Sequence, residues 1–269
     1  MHPIEHLRYV ARTSGADAGL LVQETASALT GVIRLEPAGL VPACRRVIDR
    51  HLTVGPLWWL SARVLTASDP AGAARAAGAE IEADPTAASL ADALPDDATV
   101  LVIGWPDLAG VALRRRGDAE ALVVDAGGDG RVLARRLDDA GTAAAVVPDA
   151  GVAAAVVVSD LVIVEATAAG PDGVLAALGS HAAAAVAAHR DIPVWAVAGV
   201  GRVLPAPLWE TLLRRLDGGE AEPWDRPVEL VPSGLLSAVV GPGGTVAVDE
   251  GLAQATCPLA PELLRPARG

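Results

Sequence analysis

Five short apolar runs, each divided from the next by a helical stretch, constrain the second half of this chain more than any other feature. Val100–Ile103, Ala121–Val124, Ala143–Val147, Leu161–Val164 and Val194–Val197 are apolar throughout rather than alternating. Strands of that texture are buried on both faces, as in a parallel sheet covered by helices. Between them, Leu108–Arg116, Arg131–Ala140, Gly151–Val156 and Val174–His189 carry helical spacing. The pattern predicts a Rossmann-like, doubly wound α/β domain, with ligands outside the carboxyl ends of its strands. A helix over Pro207–Leu216 follows. Val228–Leu230, Leu236–Val240 and Thr245–Val248 then read as a terminal extension.

Residues before Thr99 have a different texture. Ser14-Gly15-Ala16-Asp17 opens a segment whose Leu20, Leu21, Ala28 and Leu29 recur at helical spacing, ending near Thr30-Gly31. A second helix fits Leu40–Leu52, with Val41, Cys44, Val47 and Ile48 on one face. A third fits Pro56–Leu65, with proline in its first turn. Asp69–Asp97 reads as short helices or a connector. The expected organisation is an N-terminal helical domain with connector over 1–97, then the α/β domain over 98–269.

Composition excludes several classes of function. The 269 residues carry 33 Asp+Glu against 21 Lys+Arg, a net charge of −12, which argues against a nucleic-acid backbone or an anionic membrane as partner. No apolar run reaches the ~18–20 residues of a membrane span. Met1-His2-Pro3-Ile4-Glu5-His6 lacks the features of a signal peptide. Two cysteines, Cys44 and Cys257, make no disulfide framework, so the expected location is the cytoplasm. The chain contains no Lys, Phe or Asn. That removes a Schiff-base lysine, a P-loop lysine and a catalytic asparagine.

The strand ends supply the candidate chemistry. Asp125 closes one strand, and Gly127, Gly128 and Gly130 precede a helix; their amides suit either a phosphate or a tight left-handed turn. Glu165 closes another strand, as a general acid/base or as a solvated carboxylate. His181 and His189 are eight residues apart, too far for an i,i+4 metal pair, and no metal or cofactor is expected. Cys44 reads as core, and Cys257 carries no motif. Trp58-Trp59 suits core on one side and an interface on the other. Arg114-Arg115-Arg116 fits the C-terminal end of its helix, with a ligand patch as the weaker reading.

In order, these segments resemble the family of methylthioribose-1-phosphate isomerase, ribose-1,5-bisphosphate isomerase and the alpha, beta and delta subunits of eukaryotic initiation factor 2B. The likeness spans roughly residues 10–250. Its best piece is Ser159-Asp160-Leu161-Val162-Ile163-Val164-Glu165-Ala166-Thr167, then Gly170, Gly173, Leu178-Gly179-Ser180, an alanine-rich helix and Ile192-Pro193-Val194-Trp195. This is similar to the family's strand ending in Gly-Ala-Asp, its glycine turn, its Asn-Lys-Ile-Gly-Thr segment and its following strand. Ser14-Gly15-Ala16 resembles an N-terminal signature of archaeal members, and Leu230-Val231-Pro232 through Gly241-Pro242-Gly243-Gly244 resembles the family's C-terminal ending.

The resemblance implies a Rossmann-like fold, a homodimer and a sugar-phosphate pocket, yet the polar groups of that pocket are replaced. The loop that holds the isomerases' cysteine falls on Ile103-Gly104-Trp105-Pro106. Their catalytic aspartate falls on Thr167, beside Glu165, and the Asn-Lys pair falls on Ala176-Ala177. A strand-end arginine falls on Gly127, with Asp125 in the acid position. The residual pocket is expected to use Ser14, Trp105, Asp125, Gly127, Gly128, Gly130 and Arg202 for a phosphorylated sugar or a nucleotide, with Glu165 and Thr167 as candidate catalytic groups. The leading expectation is a non-catalytic regulatory or binding relative of the initiation factor 2B subunits. A divergent aldose–ketose isomerase and a nucleotide-binding enzyme are the alternatives.

Overall fold

Residues 18–265 are described by a computed structural model, in which ten strands form two sheets among the described residues. The larger contains β1 (Thr99–Ile103), β2 (Glu120–Val124), β3 (Ala144–Val147), β4 (Leu161–Glu165), β7 (Val194–Val197), β9 (Ala238–Gly241) and β10 (Gly244–Val246). The smaller contains β5 (Ala168–Gly170), β6 (Gly173–Ala177) and β8 (Val228–Pro232). In the larger sheet the order is β10-β9-β7-β4-β1-β2-β3, parallel except for the β9–β10 pair. Its six parallel strands therefore run 3-2-1-4-5-6 in chain order, the doubly wound arrangement, reversing between β1 and β4. Val100, Leu101 and Val102 of β1 are wholly buried, which is why that run has no polar alternate.

The five apolar runs all form strands of this sheet within a residue of their expected ends. Two expectations about the rest need correction. Val174–His189 is not one helix: β6 occupies its start, and a helix begins only at Ser180. Val174, Leu175 and Ala176 are buried between antiparallel neighbours on both sides, so tertiary pairing overrides the helical preference of alanine. The segments after residue 227 are not an extension either. β9 lies parallel to β7 inside the larger sheet, with Ala196 opposite Val239, while β8 completes the smaller one.

Two compact units share the described chain: residues 18–84, 200–219 and 254–265 in one, and 85–199 with 220–253 in the other. The sequence places a single boundary at 97/98; the units are interleaved along the chain. The first holds helices α1 (Ala18–Leu35), α2 (Leu40–Arg50), α3 (Gly55–Thr66), α4 (Pro70–Glu82) and α10 (Ala206–Asp217). Gly31 does not end α1, which runs on to Leu35. Asp69 starts α4 by accepting from Gly72 N at 2.9 Å, with Pro70 in the first turn. Trp58 and Trp59 are 0% and 1% exposed, so neither offers an outer side to an interface. Cys44 and Cys257 lie buried in this unit, and burial pushes both thiols up to about 12, leaving neither primed as a nucleophile.

The second unit carries α5 (Thr86–Ala93), α6 (Asp107–Arg115), α7 (Asp129–Asp139), α8 (Val152–Val157), α9 (Ser180–His189) and α11 (Val248–Ala253). Arg116 staples its lower edge. Its guanidinium donates to the carbonyls of Ala91, Leu94 and Pro95 and pairs with Asp96 and Asp118. This makes it an anchor at the end of α6, not part of a ligand patch. The Arg116 hydrogen bond, helped by the Asp97 N–H, holds Asp118 below the usual carboxylate range. A depressed folded pKa means stability that is full above the unfolded value near ~4 and is lost as pH falls through the folded value. Asp118→Asn is therefore expected to lower the melting temperature at pH 7. The gap from the parent protein should close progressively below about pH 4. Melts across pH 2–7 check this, and a gap that widens in acid contradicts it.

Candidate functional site

Helices that lead from one parallel strand to the next begin at the carboxyl edge of the sheet. Four of them there begin on residues with no side chain able to cap them: Pro106 for α6, Gly128 for α7, Gly151 for α8 and Gly179 for α9. Each start leaves backbone N–H groups without an internal partner and carries the positive end of a helix dipole. At α6, α7 and α9 a carboxylate of the chain itself accepts from one or two of them.

Glu165, at the end of β4, accepts from Ala109 N in the first turn of α6 at 2.9 Å. Asp125, at the end of β2, accepts from Arg131 N at 3.2 Å in α7 and from Arg131 Nε at 2.6 Å. Glu229, from β8, accepts from Gly179 N at 2.6 Å and His181 N at 3.0 Å at the start of α9. The first and third flank the point where strand order reverses, the usual ligand crevice of such sheets.

The turns between strand and helix are tight. Gly104, Gly127 and Gly128 all have positive φ, at 67°, 68° and 95°. A Cβ at Gly104 would lie 3.7 Å from Ala126 Cβ and 3.8 Å from Ala177 Cβ, so three loops converge there on small side chains. Gly130 answers a different demand: a Cβ would sit 2.5 Å from Val124 O and 2.7 Å from Asp125 Cα. It lets α7 start against the end of β2. No substituent crowds Gly127 or Gly128.

The remaining candidates fall as follows. Trp105 is half-buried against the β1–β2 core, and the Arg136 guanidinium lies 4.7 Å from its ring centroid. The Thr167 hydroxyl donates to Leu175 O at 3.2 Å, beside the Thr167 N–H bond to the same carbonyl, and so helps fasten the β5–β6 hairpin. Arg202 belongs to the first unit and is 7% exposed. Ser14 lies outside the described residues. Trp105, Asp125, Glu165, Thr167 and the glycines thus lie along one edge of the second unit, where Asp125, Glu165 and Thr167 are hydrogen-bonded within it. Glu229 was not singled out from the sequence. Its signal was indirect: Leu178-Gly179-Ser180 starts a helix on a glycine, which supplies no side-chain cap of its own. Among the described residues no group of three or more His, Cys, Asp and Glu could hold a metal ion, and no helix is long and apolar enough to cross a membrane.

Fold and edge together describe a doubly wound α/β protein whose helix starts are capped internally. Residues 82–212 match the model of the initiation factor 2 subunit family, and that segment belongs to the family. The fold is similar to that of the translation initiation factor eIF-2B from Pyrococcus horikoshii OT3, at 16% identity and a TM-score of 0.73 over 91% of this chain and 96% of that one. It is also similar to a chain of the tetrameric eIF2B-beta2-delta2 complex from C. thermophilum, at 16% identity and a TM-score of 0.75 over 93% and 92%. The eIF2B beta structure from Chaetomium thermophilum aligns at 17% identity and a TM-score of 0.68 over 91% and 86%. No curated protein matches the sequence.

Proposed function

We propose that this chain is a non-catalytic binding or regulatory member of the initiation factor 2B family, cytoplasmic and dimeric. The observation that carries the reading is the occupation of the α6, α7 and α9 starts by Glu165, Asp125 and Glu229. A sugar phosphate seated at any of these helix starts would compete with a carboxylate that already accepts from Ala109 N, from Arg131 N, or from Gly179 N and His181 N. It would also meet that carboxylate's charge at close range. An aldose–ketose isomerase further needs a base free to move a proton, and Glu165 is occupied as a cap. The family relationship and the tetrameric assembly of a similar structure support self-association.

The test is turnover of a phosphorylated pentose by the purified protein, with Glu165→Gln beside it. No turnover is expected from either protein, and Glu165→Gln should cost about 1 kcal/mol of stability through the weakened cap. Saturable turnover that disappears in Glu165→Gln would return the protein to the isomerases. Light scattering at micromolar concentration should give a dimer; a monomer sets aside that part of the reading.

A further inference from the structure

The first unit holds a cleft that none of these readings uses. It has a volume of about 440 Å³, with Trp59, Arg63, Thr66, Ala73, Glu80 and Thr256 in its lining. The spacing explains the wall. Trp59, Arg63 and Thr66 stand at i, i+4 and i+7 along α3 and share a face, as do Ala73 and Glu80, seven apart on α4. An alanine at 73 leaves the space that a larger residue would fill. Residues after α11 bring Thr256 to the rim.

One ion pair dominates the chemistry of the cleft. The Arg63 guanidinium lies 4.7 Å from the Trp59 ring centroid, and its Nη1 donates to Glu80 Oε2 at 2.5 Å. A guanidinium has five N–H donors in a fixed fork, and a carboxylate has two oxygens. Among the described residues, no further hydrogen bond engages the rest of that fork or the Glu80 Oε1. The guanidinium packs against the indole and is tied to Glu80 by one donor. The cleft therefore offers a cation with donors to spare beside an anion with an acceptor to spare.

We propose that this cleft binds a free α-amino acid, its carboxylate on the Arg63 fork and its ammonium on Glu80. A simple anion would gain Arg63 but face the charge of Glu80, and a simple amine would meet the reverse. Only a ligand carrying both groups, a bond or two apart, satisfies both partners without leaving a charge opposed. A cleft of this size sits at the small end of ordinary ligand pockets, ~300–1,000 Å³. The proposal concerns the first unit alone and stands whether or not the second unit is catalytic.

The experiment is a thermal-shift titration of the full chain with each common α-amino acid, with acetate and ethylamine as half-ligand probes. At least one amino acid should raise the melting temperature with saturation, and neither half-ligand should at equal concentration. Glu80→Gln, on a half-exposed side chain, should weaken that binding about tenfold or more by removing a charge-assisted contact. Ala73→Leu, which fills the cleft and leaves both charges in place, should weaken it as well. Circular dichroism verifies that both variants are folded. The proposal fails if no amino acid shifts the melt, if acetate does so equally, or if the response survives both substitutions.

Discussion

Replacing Gly130 by valine is expected to destabilise the protein by about 3 kcal/mol or more, whereas alanine at Gly127 or Gly128 should cost only ~1 kcal/mol each. The two kinds of glycine differ in what surrounds them. The Cβ of any residue at 130 meets Val124 O at 2.5 Å and Asp125 Cα at 2.7 Å, both backbone atoms that cannot swing aside. α7 would have to lift from the end of β2, and the Asp125 cap on Arg131 N would open with it. At 127 and 128 the space is free, and the penalty is only that of a left-handed residue with a side chain. A chain of this length shifts its melting temperature by roughly 2–4 °C per kcal/mol, so Gly130→Val should fall by roughly 6–12 °C and the alanines by a few degrees. A phosphate-cradling loop would show another ranking, with Gly127→Ala and Gly128→Ala abolishing stabilisation by ligand. Equal, small losses at all three positions would contradict the packing account.

The same residues show what the sequence made legible and what it did not. The apolar-throughout texture of β1, β2, β4 and β7 carries its own explanation, since burial on both faces leaves no polar alternate to read otherwise. The order of segments led to the family, and the four loops expected after β1, β2, β4 and β7 do follow those strands. β6 was lost because Gly173–Ala177 owes its form to β5 and β8, one of them more than fifty residues away; the local composition, rich in alanine, favours helix. Glu229 was missed for the same reason, since it caps a helix 48 residues before it in the chain. The sequence reads Asp125 as a pocket residue and Glu165 as a general acid/base or a solvated carboxylate. Their position at strand ends is local and visible, while the partners that occupy them, Arg131 and Ala109, depend on how the helices return.

Trp58→Ala is expected to have the other large effect, a loss of about 3–5 kcal/mol. The side chain is wholly buried in α3, its Nε1–H donates to Leu52 O at 2.8 Å, and the Arg215 guanidinium lies 5.5 Å from its ring centroid. Arg215 is held there by its ion pair with Asp49. Truncation thus opens a void of indole size, leaves a carbonyl without its donor and removes the surface on which an arginine lies. Trp58→Phe separates these contributions: it keeps most of the volume and loses the N–H, so a cost nearer 1–2 kcal/mol is expected. Urea unfolding followed by circular dichroism measures both. The result also bears on assembly, because an indole that anchored a second copy would behave differently. Its loss would then change the sedimentation coefficient at a concentration where the fold is intact, with little change in the unfolding midpoint. A large stability loss with unchanged association per folded molecule is the outcome that a buried Trp58 requires. It would move the search for the contact of the proposed dimer to exposed apolar side chains elsewhere, such as Val146 on β3 and Val158 after α8.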